Sequence, residues 1–181
     1  MDEILFDTNW LKLKKTNFGY VYSERKGVDS VAVLLSRKNP ETNRREYLVR
    51  WQFVPTLSVI SNDQHTLMAC PITGSIELNE DNVYKTAVRE VKEETGYTLS
   101  MRDLKFKGRY QLGTQSNESV YTFYAIINKD NETEIPEGDG TEREAESHNQ
   151  WMDHKDFKFL IRKSSRVYSI LKLLYLVRNE E

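Results

Sequence analysis

The chain has 181 residues, 38% of them hydrophobic, which is enough apolar material for one substantial core, and its formal charge of -2 excludes the overall basic field of a protein that coats nucleic acid. No run approaches the ~20 apolar residues needed to span a bilayer, and the opening MDEILFDTNWLKLKK lacks the uninterrupted apolar stretch of a secretory signal. The single cysteine, Cys70, cannot form an internal disulfide. The expectations are therefore a cytoplasmic setting, no membrane partner, and one domain over residues 1–181 whose first sixty residues include a strand-rich part. Cys70 lies in the apolar run LMAC and reads as a buried small hydrophobe; His65, His148 and His154 share no metal-ligand spacing.

In chain order, Val28 and the run Val31 to Leu35 read as a strand. Its hairpin partner is the alternating stretch Tyr47, Val49, Trp51, Phe53, reached across the polar loop KNPETNRRE. A third run, Leu67 to Ile72, precedes Thr73-Gly74. A helix follows: Asp81 or Asn82 can cap its start, and Gly96 suits the left-handed position just past its end. Leu104 to Gln111 and Val120 to Ile127 are further strand candidates. The polar, turn-rich segment Asn128 to Gly140 reads as an exposed, mobile loop. A second helix is expected from Ser164 or Ser165, with Val167, Ile170, Leu171, Leu174 and Val177 on one core-facing stripe. Strands outnumber helices and come in groups between them, which points to an α+β sandwich rather than a doubly wound parallel fold.

The chemistry is concentrated in Arg89-Glu90-Val91-Lys92-Glu93-Glu94-Thr95-Gly96-Tyr97. On a helix Glu90 and Glu94 stack one turn apart and Glu93 lies one step round the cylinder, so three carboxylates share one edge. Tyr84, Ala87, Val88 and Val91 form the adjacent apolar face. Such like charges cost a helix a few tenths of a kcal/mol per pair. A hard divalent cation reverses that sign, because it binds carboxylate oxygens and completes its shell with water and phosphate. An isolated E-x-x-E-E triplet is most simply a solvated acidic face. Here, however, a loop opened by Gly74, GSIELNED, leads from a strand into the helix and can turn a backbone carbonyl toward a metal that Glu90 and Glu94 also reach.

These residues resemble the signature of the Nudix hydrolases, G-x5-E-x7-R-E-U-x-E-E-x-G-U with U apolar. Gly74, Arg89, Glu90, Val91, Glu93, Glu94, Gly96 and Tyr97 match it in type and order, so the motif spans residues 74–97. One residue is inserted in the loop or at the helix start: counting from Gly74 puts Glu80 in the first acidic place, and counting back from Arg89 puts Asp81 there. GVDSVAVLL, EYLVRWQFVP, LGTQSNESVYTFYA and Trp151-Met152 before an acidic turn and helix are similar to the ADP-ribose and nucleoside-diphosphate-sugar branch. Gly113 stands near the place of the proline which that branch usually carries.

The resemblance implies an α/β/α sandwich with a central mixed sheet and a C-terminal amphipathic helix. It also implies a metal-dependent pyrophosphohydrolase whose substrate is ADP-ribose or a related nucleotide. Glu90 and Glu94 would ligate Mg²⁺ or Mn²⁺ together with a carbonyl at Thr73 or Gly74, Glu93 would be a further ligand or organise water, and Arg89 would orient the carboxylates. Among Glu142, Glu144 and Glu146, Glu144 would be the catalytic base. Glu118 and Trp51 are the substrate-binding candidates, Trp51 by stacking on the base as Tyr110 or Phe123 also could. The branch implies a homodimer joined through its strand-rich N-terminal part. Alternatives are dinucleoside polyphosphates, NAD(H) or capped RNA as substrates, and, in another class, a nucleotide-binding module of the same fold without turnover.

Overall fold

The computed structural model describes residues 2–25, 27, 29–56, 66–77, 79–128, 131, 133–136 and 147–178. Three short strands, β1 (Glu3–Asp7), β2 (Leu11–Lys15) and β3 (Val21–Arg25), form an antiparallel sheet of their own. They are followed by β4 (Ser30–Lys38), β5 (Arg45–Phe53), β6 (Leu67–Cys70) and β7 (Ile72–Ser75), and then by helix α1 (Val83–Thr95). Strands β8 (Lys105–Gln111), β9 (Ser119–Ile127) and β10 (His148–Asp153) precede two helices, α2 (His154–Lys163) and α3 (Ser169–Val177).

The second sheet runs β10-β5-β4-β9-β8, with β6 added to β5 and β7 to β4. It is mixed: β4 and β9 are parallel, with Val33 opposite Phe123, and the other pairs are antiparallel. The seven residues Ser30 to Ser36 of β4 are all buried, because helices cover both faces of this sheet. Alternation along the strand divides them. Ala32 and Leu34 pack with Phe157 and Ile161 of α2 and with Ile170, Leu171 and Leu174 of α3. Val31, Val33 and Leu35 pack with Ala87 and Val91 of α1. The result is the expected α/β/α sandwich, with the apolar face of α1 pinned to the sheet as its spacing indicated. None of the helices among the described residues is long and apolar enough to cross a membrane.

The hairpin β4/β5 forms as its alternation requires, with Ser36 opposite Tyr47. The run Leu67 to Ile72 is two strands rather than one: Pro71 lacks the N–H a ladder needs, and the chain changes neighbour there from β5 to β4. The last helix begins at Ser169, not at Ser164 or Ser165. Val167 instead lies in extended backbone bridged to Ala69, where Ala69 donates to the Arg166 carbonyl at 2.9 Å and accepts from the Tyr168 N–H at 2.9 Å. Two backbone bonds to β6 thus outweigh one more helical turn, and Val167 reaches the same core layer without being helical. Helix α2, indicated by resemblance rather than periodicity, is capped by Asp153, whose side chain accepts from the N–H groups of Lys155 and Asp156.

Of the two cap candidates for α1, Asn82 takes the position and accepts from Tyr84 N–H at 2.9 Å. Gly96 closes the helix with φ 76° and donates to the Lys92 carbonyl at 2.8 Å. A Cβ on Gly96 would also lie 1.9 Å from the Glu134 carbonyl oxygen. Asn131 and Thr133 to Pro136 are the described part of the segment after Asn128, and the Glu134 N–H donates to the Gly96 carbonyl at 3.0 Å. Gly96 is therefore required by conformation and by space. Gly96→Ala is expected to lower stability by roughly 1–3 kcal/mol. An unchanged urea midpoint in that variant would contradict this account of the helix end.

Candidate active site

Helix α1 packs across β7, and the contact is close. A Cβ on Gly74 would lie 1.9 Å from Cδ of Glu90, so the Glu90 carboxyl sits where any other residue would carry its side chain. Glu90 and Glu94 both line a cavity of about 740 Å³, with side chains 13% and 14% exposed. The adjoining wall comes from β5, whose alternation turns Arg50 and Gln52 into the cavity. Arg25 of β3 and Glu118, at the start of β9, close another side.

The acidic edge is divided between two arginines. Arg89 places Nη1 2.9 Å from Glu90 Oε1 and 2.9 Å from Glu93 Oε2, and Nη2 3.6 Å from Glu80 Oε2. Glu94 is held from the other side: its Oε1 is 3.2 Å from Arg50 Nε, and its Oε2 accepts from the Thr73 N–H at 3.4 Å. The Glu94 carbonyl accepts from Arg50 Nη1 at 3.4 Å and from Asn149 Nδ2 at 2.7 Å. Burial raises Glu90 from an ordinary 4.5 to about 7, although Arg89 pulls it down, and Glu93 adds to the rise. Glu80 goes the other way. Burial opposes ionisation, but the bond from Thr86 Oγ1 at 2.7 Å and the charge of Arg89 hold its carboxyl below the ordinary value.

Of the two residues competing for the first acidic place, Glu80 joins the Arg89 network; Asp81, with its side chain 90% exposed, lies 3.9 Å from Lys85. Glu93 leaves the large cavity and lines a second one of about 180 Å³ with Arg89, Lys92 and Glu134. Glu118 is buried in the cavity wall, its Oε1 accepting from Arg25 Nη1 at 2.9 Å and Ser30 Oγ at 3.0 Å. Trp51 is on the other face of β5, where its Nε1 donates to Gln150 Oε1 at 2.8 Å and its ring packs with the α2 and α3 layer. Phe123 is fully buried in the α1 layer. Glu142, Glu144 and Glu146 lie outside the described residues.

Arg50 and Arg25 escaped the sequence reading. The signal for Arg50 was a cation inside the apolar alternation of LVRWQF, which requires a buried partner; for Arg25 no local signal exists, since its partners Glu118 and Ser75 are distant in the chain. Cys70 also lines the cavity, and burial pushes its thiol up to about 12, which disfavours the thiolate. Among the described residues no group of three His, Cys, Asp or Glu side chains is already placed to hold a metal ion.

An acidic helix edge packed on a glycine thus faces a large, arginine-lined cavity in an α/β/α sandwich. A family model described as NUDIX domain matches residues 17–174, and the chain belongs to this family, the Nudix hydrolases. Among solved structures, an ADP compounds hydrolase is similar at 18% identity, over 97% of this chain and 90% of that one, with a TM-score of 0.62. The NUDIX domain of Shewanella oneidensis NrtR, complexed with ADP ribose, is similar at 11% identity over 85% and 88%, with a TM-score of 0.55. A C. elegans Ap4A hydrolase is similar at 17% identity over 83% and 93%, with a TM-score of 0.50. At these identities the likeness is one of fold. A comparison with curated protein sequences finds no match.

The raised Glu90 carboxyl makes stability depend on pH. Below about 4.5 the group is protonated in folded and unfolded chains alike. Between about 4.5 and about 7 the unfolded chain releases a proton that the folded one keeps, so folding stability declines across this window and levels off above it. In metal-free buffer, wild type is expected to lose stability relative to Glu90→Gln over that range. Parallel denaturant midpoints for the two proteins would refute the buried-carboxyl assignment.

Proposed function

We propose that the chain is a divalent-metal-dependent pyrophosphohydrolase acting on a nucleoside diphosphate linked to a second moiety, with ADP-ribose or a related nucleoside diphosphate sugar as its substrate. The observation that carries this reading is the pairing of Glu90 and Glu94 with Arg50 and Arg25 around one cavity of about 740 Å³. That volume suits a nucleotide-sized ligand. The carboxylates offer hard oxygens to a cation, and the arginines offer forked donors to phosphate. The ADP ribose bound to the similar NrtR domain supports the choice of substrate.

The residues also fit the metal. Glu90, crowded against the Gly74 backbone and driven toward neutrality by burial, is a carboxylate short of positive charge, and Glu94 opens into the same cavity. Glu90 and Glu94 would be the ligands, with a carbonyl at Thr73 or Gly74. When bound, Mg²⁺ or Mn²⁺ would supply neutralisation of the diphosphate oxygens and a water of lowered pKa. Arg89 bonds both Glu90 and Glu93, and Glu93, which faces the smaller cavity, would have to turn from Arg89 to act as a further ligand or order water. Glu118, held by Ser30 and Arg25, would accept bonds from substrate hydroxyls. Glu144 would take the proton of the attacking water. A nucleoside monophosphate and a phosphorylated moiety would leave.

Incubation with Mg²⁺ and a nucleotide panel, followed by chromatography, is expected to convert ADP-ribose to AMP and ribose 5-phosphate. Preference for a dinucleoside polyphosphate, NAD(H) or capped RNA would move the substrate, and no product from any of them would favour a binding module. Glu94→Gln is expected to lower turnover by orders of magnitude; wild-type turnover would contradict the ligand assignment.

A homodimer through the N-terminal strands belongs to the same proposal. Phe6, Trp10 and Phe18 there are 62%, 81% and 80% exposed, which supports it. Light scattering on the eluting protein is expected to give twice the 21.3 kDa chain mass, and the mass of a single chain would exclude the dimer.

A further inference from the structure

We propose that Arg50 is the resident counter-ion of Glu94, gives up that carboxylate when a divalent cation binds, and then serves as a phosphate ligand for the substrate. This rests on the metal-dependent reading above.

Arg50 is 5% exposed and lies between buried Val49 and the cavity, on a strand paired along both edges: Arg50 is opposite Cys70 of β6 and Asn149 of β10. A guanidinium this deep persists only beside a partner charge. Its Nε is 3.2 Å from Glu94 Oε1, and its Nη1 donates to the Glu94 carbonyl, near the negative end of α1. Arg89 meanwhile spans Glu90 and Glu93. Each of these three carboxylates thus already has an arginine.

A divalent ion taken up by Glu94 would stand within a few ångströms of the Arg50 cation, and that repulsion is strong where water is scarce. The backbone of β5 cannot yield, because neighbours hold it on both sides, so the side chain must turn. It already lines the cavity. An anionic diphosphate there replaces the carboxylate it has lost, and the planar fork of an arginine suits phosphate oxygens. Cation and nucleotide binding are then coupled, each strengthening the other by the same factor.

The test uses the full chain, Mn²⁺, and the unreactive nucleotide α,β-methylene-ADP, with both affinities read by calorimetry. Arg50→Met is expected to bind Mn²⁺ alone about tenfold more tightly than wild type, since a competing cation is gone. It is also expected to lose the Mn²⁺-dependent gain in nucleotide affinity that wild type shows. Equal or weaker Mn²⁺ binding by Arg50→Met would mean that Arg50 only braces Glu94, and the proposal falls while the metal site stands. If neither protein binds Mn²⁺, the metal site falls too. Should Arg50→Met fail to fold, wild type carries the test by NMR, with the Arg50 Nε–H signal assigned from its loss in Arg50→Lys. That signal is expected to shift with saturating Mg²⁺ and again with the nucleotide; a signal unmoved by Mg²⁺ overturns the exchange.

Discussion

Carboxylates one helical turn apart repel each other, and burying them makes the repulsion worse, because less water is left to screen it. The molecule nevertheless places Glu90 and Glu94 together at a cavity wall with most of each side chain covered. Two devices make this arrangement tolerable. Gly74 lends its missing side chain as space for the Glu90 carboxyl, and Arg89 and Arg50 each pair with one of the two carboxylates. Neither removes the demand for positive charge at Glu90, whose carboxyl stays well above the ordinary range.

The sandwich positions this edge. Ala87 and Val91 of α1 pack into Val31, Val33 and Phe123 of the sheet, and Glu90 and Glu94, one step round the cylinder, face the cavity. Asn82 and Gly96 fix its two ends. On the other side of the sheet, α2 and α3 bury Tyr47, Val49 and Leu34, while β6 and β10 flank β5 at Arg50, the residue that pairs with Glu94. The cavity is thus the place where the edge of one helix, the face of one strand, the N-terminal strand β3 and the start of β9 meet. Arg25 of β3 bonds Glu118, just before β9, and Ser75 of β7 at once.

Much of this was legible before any coordinates, and the legible parts share a cause. Helix α1 was readable to within a residue at both ends because caps and apolar spacing are signals between residues close in sequence. The β4/β5 hairpin was readable from alternation across a polar loop. The motif from Gly74 to Tyr97 carried the family, which the domain match over residues 17–174 now establishes.

What the chain's own order of residues determined was therefore the helix that bears the carboxylates, the glycine beside it, and the class of fold around them. Tertiary structure decided which side chains meet the carboxylates. It turned Arg50 toward Glu94 and Trp51 away, sent Glu93 to a separate small cavity, brought Arg25 across from the N-terminal sheet, and spent Val167 on a bridge to Ala69 instead of a helical turn. Apart from Glu93, whose bond is to Arg89 four residues away, each of those choices depends on a neighbour dozens of residues distant. The face a strand residue shows and the backbone bonds a segment makes are settled by whichever partner lies alongside, and that partner is known only once the layers have packed.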